Sequence, residues 1–454
     1  ISSLANLLYV TENSSLWLQG IYLQQTADID ATETQYWDDN DEDGDGNDYN
    51  DPNDATATGD NEGWLPIATI GSGGFKANYN GGYYRIIGLT IDRNSTDNVG
   101  FVADTSGATN AGISSLGLLE ANFTVNTTNS AHEVGGLIGK VSNYSSSFDL
   151  NEVFFEGTIT IAGNTISYIG GIVGSVVAAG GSKLTSSYFN GTISSPTNGS
   201  QFIGGLIGYN KGYGIENSYF RGKIIGKGSG STDVGTINFR GIPDSNNYDI
   251  KNIYVSAIFE NFNSSFSTDL GYLVGDGRSG SKVATYTNIY YDETTNPGED
   301  SFGERDTTSH VLSNVVSKTK AELTTDPLND LIGFNDPTFW SHNAAVNDGF
   351  PYLSIWTDLS LSSYNVTDTS TSGTTIGVLS ILDPSALTTS NFSLPVGQEE
   401  NNKFAIGSDG TSLNINAAGV ADISPDKVFT VRVQMDTSDS RTYLRNFSLP
   451  VVCP

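Results

Sequence analysis

The sequence predicts an all-β protein: a right-handed parallel β-helix followed by a smaller β-sandwich. Three observations predict it, namely a glycine phrase that recurs at a fixed period, an aromatic phrase that keeps the same period, and a loss of both after Trp356. The glycine phrase reads Val134-Gly135-Gly136-Leu137-Ile138-Gly139, Ile169-Gly170-Gly171-Ile172-Val173-Gly174 and Ile203-Gly204-Gly205-Leu206-Ile207-Gly208, with looser copies at Val99 to Val102 and Leu270 to Gly275. Its first glycines, Gly100, Gly135, Gly170, Gly204 and Gly271, are 35, 35, 34 and 67 residues apart, the last step spanning a degenerate copy at Val234 to Ile237. A fixed period marks a repeat architecture, in which each unit buries its apolar face against its neighbours.

The aromatic phrase follows about fifteen residues later: LNEVFFEG from Leu150, LTSSYFNG from Leu184, IENSYFRG from Ile215, IKNIYVSA from Ile250 and YTNIYYD from Tyr286. Both phrases are short, rich in Ile, Val, Tyr and Phe, and punctuated by Gly, Asn and Ser, so each predicts a strand ended by a turn. Amphipathic helical spacing is absent between them. Six or seven such coils, at about 4.8 Å each, amount to roughly 30 Å of stacked strands. In each aromatic pair (Phe154/Phe155, Tyr188/Phe189, Tyr219/Phe220), and at Tyr254 and Tyr290/Tyr291, the inward ring is expected in the core and the outward ring partly exposed. Ice binding would need flat threonine rows, which Thr158, Thr160 and Thr192 do not continue.

Residues 357–454 lose the glycine phrases and alternate instead, with strands expected at Thr374 to Leu382, Phe392 to Val396, Lys403 to Ile406, Ser412 to Asn416 and Val428 to Met435. About seven short strands in that length suit a sandwich. The expected division is therefore 1–356 and 357–454, with an acidic loop inserted near 37–62.

Charge bounds the partners. The chain has 51 acidic against 21 basic residues, a formal net charge of −30. Such a surface repels nucleic acid and anionic lipid, and divalent cations are its natural partners. No apolar stretch is long enough to span a bilayer as a helix. The lone cysteine, Cys453, has no partner within the chain for a disulfide. The first residue is Ile1, which suggests a processed piece of a longer secreted protein.

The sharpest local signal is the run from Trp37 to Asp51, WDDNDEDGDGNDYND. Asp39, Asp41 and Asp43 occupy positions 1, 3 and 5 of a calcium loop, Gly44 the turn, and Asp45 and Asn47 positions 7 and 9. Asn50 stands where the closing bidentate Glu would be, leaving Asp48 or Asp51 to complete the oxygen shell. Alternating oxygen ligands on a tight glycine-bearing loop suit calcium; the alternative is a solvated acidic insertion. Eleven Asn-x-Ser/Thr triplets, at Asn13, Asn94, Asn122, Asn126, Asn143, Asn190, Asn198, Asn263, Asn365, Asn391 and Asn446, are candidate glycan acceptors. Catalytic signatures are absent: the histidines, His132, His310 and His342, are scattered, and no nucleophile elbow or phosphate loop is present. Glu152 and Glu156 with Arg221 or Lys223 are the candidates for polysaccharide cleavage on a coil face; the alternative is that they are ordinary polar positions on solvent-facing strands.

The pairing of Gly204-Gly205-Leu206-Ile207-Gly208 with Asn217-Ser218-Tyr219-Phe220-Arg221-Gly222 resembles the GLUG repeat of bacterial surface and secreted proteins. The resemblance extends upstream through Ile1 to Leu8, Thr26 to Asp30, Gly63 to Ile67 and Phe75 to Leu89, and downstream to a closing phrase, Asp348-Gly349-Phe350-Pro351-Tyr352-Leu353. It implies an extracellular, non-enzymatic β-helix in large adhesins, often of Bacteroidetes. The spacing of Gly377 to Leu379, Asp383, Phe392 to Leu394, Phe404 to Ile406 and Val428 to Asp436 resembles a cadherin-like repeat, without the acidic linkers that hold calcium between true cadherin repeats. The expected function is thus a cell-surface adhesin or filament component with bound calcium, whose partners are extracellular glycans or proteins or further copies of itself. The alternatives are a polysaccharide-degrading enzyme or carbohydrate-binding module on a β-helix, and a polymerising filament subunit.

Overall fold

In a computed structural model of the chain, the two phrases become the two walls of a parallel β-solenoid. The structure describes residues 1–37, 62–69, 73–93, 98–127, 132–143, 147–163, 167–179, 181–195, 201–226, 232–240, 248–262, 268–278, 284–297, 300–305, 310–337, 339–342, 347–353, 359–361, 366–381, 390–396, 400–424, 427–437 and 442–452.

The aromatic phrases build the first wall. Its strands run in order Tyr22–Gln24, Asn78–Ile87, Ala111–Thr127, Phe148–Gly163, Lys183–Thr185 with Tyr188–Ser195, Gly214–Gly226, Tyr248–Glu260, Ala284–Asp292 and His310–Lys318. The glycine phrases build the second, through Val102–Asp104, Ile138–Asn143, Val173–Ala179, Gln201–Asn210, Thr232–Arg240, Val274–Arg278 and Phe302–Arg305. Equivalent residues sit in register: Ile169 pairs with Val134 and Ile203, and Phe189 pairs with Phe155 and Phe220. One apolar cluster fills the space between the walls, from Leu4, Leu7 and Val10 of the helix Leu4–Glu12 to Phe302.

Why glycine recurs is visible in the gap between the walls. A Cβ on Gly205 would lie 2.1 Å from the ring of Phe220, and one on Gly136 would lie 2.4 Å from the ring of Phe155. The second glycine of one phrase is therefore the recess for the phenylalanine of the other. Where the register continues into the next coil, both halves change together. Gly204 pairs with Gly235 and Ile207 with Ile237, leaving Thr236 alone in place of Gly205-Leu206, while Val255 takes the place of Phe220.

The chain divides into two compact units, Ile1–Leu353 and Ser354–Pro454. The second unit has two four-stranded sheets. One joins Leu359–Leu361, Thr375–Ile381, Ser412–Ile415 and Phe404–Ile406; the other joins Val366–Thr367, Thr442–Val452, Val428–Thr437 and Ser390–Ser393. Their inward residues, among them Leu379, Phe404, Leu413, Val431, Val433 and Phe447, form one core. Alternation in Val428 to Met435 predicts that strand, and its partner Thr442–Val452 is an element the sequence reading omits.

Candidate functional site

The calcium-loop residues Asp39, Asp41, Asp43, Asp45, Asn47, Asn50 and Asp51 lie outside the described residues. The two ends of that segment are anchored. Gly63 donates its backbone N–H to the Trp37 carbonyl at 2.9 Å, and Trp37 and Trp64, both fully buried, lie 6.1 Å apart between ring centroids. Arg93 braces the return strand through Glu62 at 3.2 Å and the Gly63 carbonyl at 3.1 Å. Among the described residues, no cluster of three or more His, Cys, Asp or Glu side chains forms a cation site.

The residues proposed for polysaccharide cleavage are held in separate local contacts. Glu152 accepts hydrogen bonds from Tyr83 and Ser115, each at 2.8 Å, and Glu156 accepts one from Tyr188 at 2.8 Å. Arg221 donates to the Asn347 carbonyl at 3.0 Å and to Asp348 at 2.8 Å, and its guanidinium lies 4.5 Å from the centre of the Phe350 ring. That contact, chiefly the hydrogen bond from Arg221, holds the Asp348 carboxyl below the usual carboxylate range. Lys223 pairs with Glu260 at 2.7 Å. Each candidate thus closes a bridge between neighbouring coils or to the segment beyond them.

That segment corrects the expectation for the aromatic pairs. Both members are buried at Phe154/Phe155, Tyr188/Phe189 and Tyr219/Phe220, whereas at Tyr290/Tyr291 only Tyr290 is fully buried. The outward rings stack into a column, with centroid separations of 4.8 Å for Phe154–Tyr188, 4.6 Å for Tyr188–Tyr219 and 4.8 Å for Tyr219–Tyr254. A column of rings on the outer face is apolar surface that must be covered. The stretch after Lys318 covers its later rings: Trp340, Phe334 and Phe350 all lie within 6.1 Å of the Tyr254 ring, Trp340 lies 6.3 Å from Tyr219 and Phe334 5.7 Å from Tyr290. The closing phrase forms a clamp, in which Tyr254 donates to the Pro351 carbonyl at 2.8 Å and Asn347 donates to the Tyr254 hydroxyl at 2.9 Å. Burial pushes the Tyr188, Tyr219 and Tyr254 hydroxyls well above the ordinary tyrosine value.

One device is missing from the sequence reading. Asn217, Asn252, Asn288 and Asn314 have left-handed φ of 49° to 59° and stack in consecutive coils. Their amides hydrogen-bond in series, Asn252 to Asn217 at 2.8 Å, Asn288 to Asn252 at 3.0 Å and Asn314 to Asn288 at 3.0 Å. Asparagine is the side-chain-bearing residue that tolerates this backbone region best, and its amide has a donor and an acceptor, so identical residues bond to one another at each step. The signal was present as an Asn at the third position of the phrases from Ile215, Ile250 and Tyr286.

Of the candidate glycan acceptors, Asn122 and Asn391 are exposed, and Asn13, Asn126 and Asn190 are partly so. Asn143 and Asn446 lie in the strands Ile138–Asn143 and Thr442–Val452. Asn94, Asn198, Asn263 and Asn365 lie outside the described residues, as does Cys453. No described helix is long and apolar enough to cross a membrane.

No known protein family and no curated protein matches the chain. Among solved structures, the chain is similar to a Bacteroides ovatus protein provisionally named an immunoglobulin A1 protease, with a TM-score of 0.48 and 17% identity, covering 78% of this chain and 91% of that one.

Proposed function

We propose that this chain is a non-enzymatic, extracellular component of a cell-surface adhesin or filament, in which a GLUG-type solenoid serves as a stiff spacer and the second unit is a cadherin-like module. The observation that carries this reading is the lateral pairing of the solenoid, in which the aromatic phrases of successive coils pair residue by residue and the outer ring recurs from Phe154 through Tyr188, Tyr219 and Tyr254 to Tyr290. Side chains that would serve a polysaccharide-cleaving site are engaged in cross-coil bridges instead. The acidic insertion between Trp37 and Gly63 is the proposed calcium site, and the Bacteroidetes-type surface is the proposed setting.

The test immobilises the whole protein and measures attachment of cells and of glycan-coated beads with calcium present, chelated and restored. Attachment that falls on chelation and returns with calcium supports the reading. Attachment unchanged by chelation removes the calcium part, and release of reducing ends or unsaturated uronates from a polysaccharide panel replaces it with an enzyme.

A second reading has its own observation. The last strand of the first wall, His310–Lys318, ends the sheet and leaves Val311 51%, Leu312 39% and Val316 36% exposed. An apolar edge strand accepts another strand, which favours a self-associating filament subunit. Sedimentation at rising concentration tests it: Val311→Lys is expected to abolish any self-association seen in the parent chain.

A further inference from the structure

The outer face of the first wall has a depression of about 440 Å³ near the start of the solenoid. Two outward rows flank it, Tyr22, Asn78, Gly112 and Asp149 in one and Gln24, Asn80, Ser114 and Asn151 in the other, each in strict register. The residues between the rows point inward, with Tyr79, Ile113 and Leu150 buried. Gly112 makes the dip, since it interrupts its row with no side chain, and a Cβ there would lie 2.3 Å from the Asp149 carbonyl. Tyr22 stands at one end, 80% exposed.

The polar groups around the dip are partly committed to the fold, and what remains is mixed in character. Asn80 Oδ1 accepts from the Gly82 N–H at 2.8 Å, Asn151 Oδ1 from Thr185 at 2.6 Å and Asn110 Oδ1 from Ser147 at 3.3 Å, so each keeps its amide NH2 as donor. Asp149 Oδ1 accepts from the Lys183 N–H at 3.0 Å, which leaves Oδ2 as acceptor. The strands Asn78–Ile87, Ala111–Thr127 and Phe148–Gly163 beneath it are paired on both sides; the short strand Tyr22–Gln24 ends the sheet, and the Ile1 amine donates to its Gln24 carbonyl at 2.7 Å, which leaves at most a two-residue backbone edge for a peptide. One carboxylate is too few for a divalent cation, and that carboxylate on a chain of net charge −30 opposes an anion. Interspersed donors and acceptors match hydroxyl groups, each of which both donates and accepts, and an exposed phenol ring matches the apolar face of a pyranose.

We infer that this depression binds an uncharged oligosaccharide lying along the stacking direction, with Tyr22 as the platform for one ring and the asparagine amides and Asp149 addressing the hydroxyls of the next. Three strand steps separate Tyr22 from Asp149, about 14 Å, which is room for a short saccharide. The inference rests on the attachment reading and adds to it the class of ligand and the place where it binds.

The experiment presents the whole protein to an array of uncharged hexose and N-acetylhexosamine oligosaccharides with their sulfated and uronate counterparts, then titrates the best binder calorimetrically. Uncharged members are expected to bind and charged counterparts to bind less. Tyr22→Ala and Ser114→Arg, with unchanged circular dichroism, are expected to weaken binding about tenfold or more. Tyr9→Ala, another exposed tyrosine, is expected to leave it unchanged. Absence of binding to every uncharged member, or equal affinity in both groove variants, overturns the inference. Cell attachment that survives in those cases removes the ligand assignment alone, whereas a protein that attaches to no surface removes the attachment reading itself.

Discussion

Gly205 and Phe220 are one packing decision divided between two strands. The three atoms nearest a Cβ at Gly205 all belong to the Phe220 ring, at 2.1 to 2.5 Å. Gly205→Ala should overpack the core and cost about 1–3 kcal/mol. Phe220→Val alone should cost about 2–4 kcal/mol through the cavity it leaves. Combined, the two changes are expected to cost less than their sum, with a coupling of about 0.5–3 kcal/mol, because the following coil already combines a loss of the second glycine with Val255. Urea unfolding of the four proteins in the cycle measures it; strict additivity would show that the glycine answers to backbone contact and not to the ring.

At the scale of one element, the asparagine stack is the clearest case of a side chain doing what strand pairing alone leaves undone. It occupies the left-handed position of four successive coils, a position that Ser115, Glu152 and Ser186 hold in the coils before them. Asn252 lies in the middle, donating to Asn217 and accepting from Asn288, with Gly333 of the covering segment against it. Asn252→Val removes both bonds, leaves the buried Asn217 and the half-buried Asn288 each without that partner, and places a β-branched residue at φ 55°. It is expected to lower stability by about 2–4 kcal/mol, read as a shift in thermal midpoint, while Asn252→Gly, which relieves the backbone but not the lost bonds, should cost less. The phrases made the strands legible because their apolar content is dense. A single recurring Asn among Ser and Thr carried no such weight, and its role depends on φ, which composition does not encode.

In the second unit, four charges close a ring in which Lys403 lies 2.7 Å from Glu400 and 2.5 Å from Asp422, and Lys427 lies 2.8 Å from Glu400 and 3.4 Å from Asp422. Burial raises the Glu400 carboxyl, but hydrogen bonds from Lys403 and Lys427 outweigh it and leave it below its ordinary value; Asp422 is lowered by the same lysines. Lys403 is raised by Asp422 and then Glu400, and Lys427 by Glu400. A carboxyl whose folded value is depressed contributes stability that is complete above its unfolded value, about 4, and is lost as pH falls through the folded one. A lysine whose folded value is raised contributes stability that is complete below its unfolded value, about 10.4, and is lost as pH rises through the folded one. The ring therefore holds between those limits. Thermal unfolding of the whole protein from pH 7 to pH 2 should show a shallower acid decline in Asp422→Asn than in the parent, the comparison removing the opposing relief of general repulsion that acid brings to a chain of net charge −30.

Across the whole molecule, the sequence by itself determined the strand phrases, their period of about 35 residues and hence a stacked parallel solenoid, because a repeated apolar pattern buries its surface only against copies of itself. It also determined the change to alternating strands after the glycine phrases end, since period-two alternation is a local property. Only the tertiary structure decided what becomes of the later outward rings, because the cover of Tyr219, Tyr254 and Tyr290 comes from Phe334, Trp340 and Phe350, outside any repeat. It likewise decided that Glu152, Glu156, Arg221 and Lys223 answer to different partners, and that Gly112 leaves a dip beside Tyr22. Proximity across coils is set by register in three dimensions, and a residue's type does not say which neighbour will reach it.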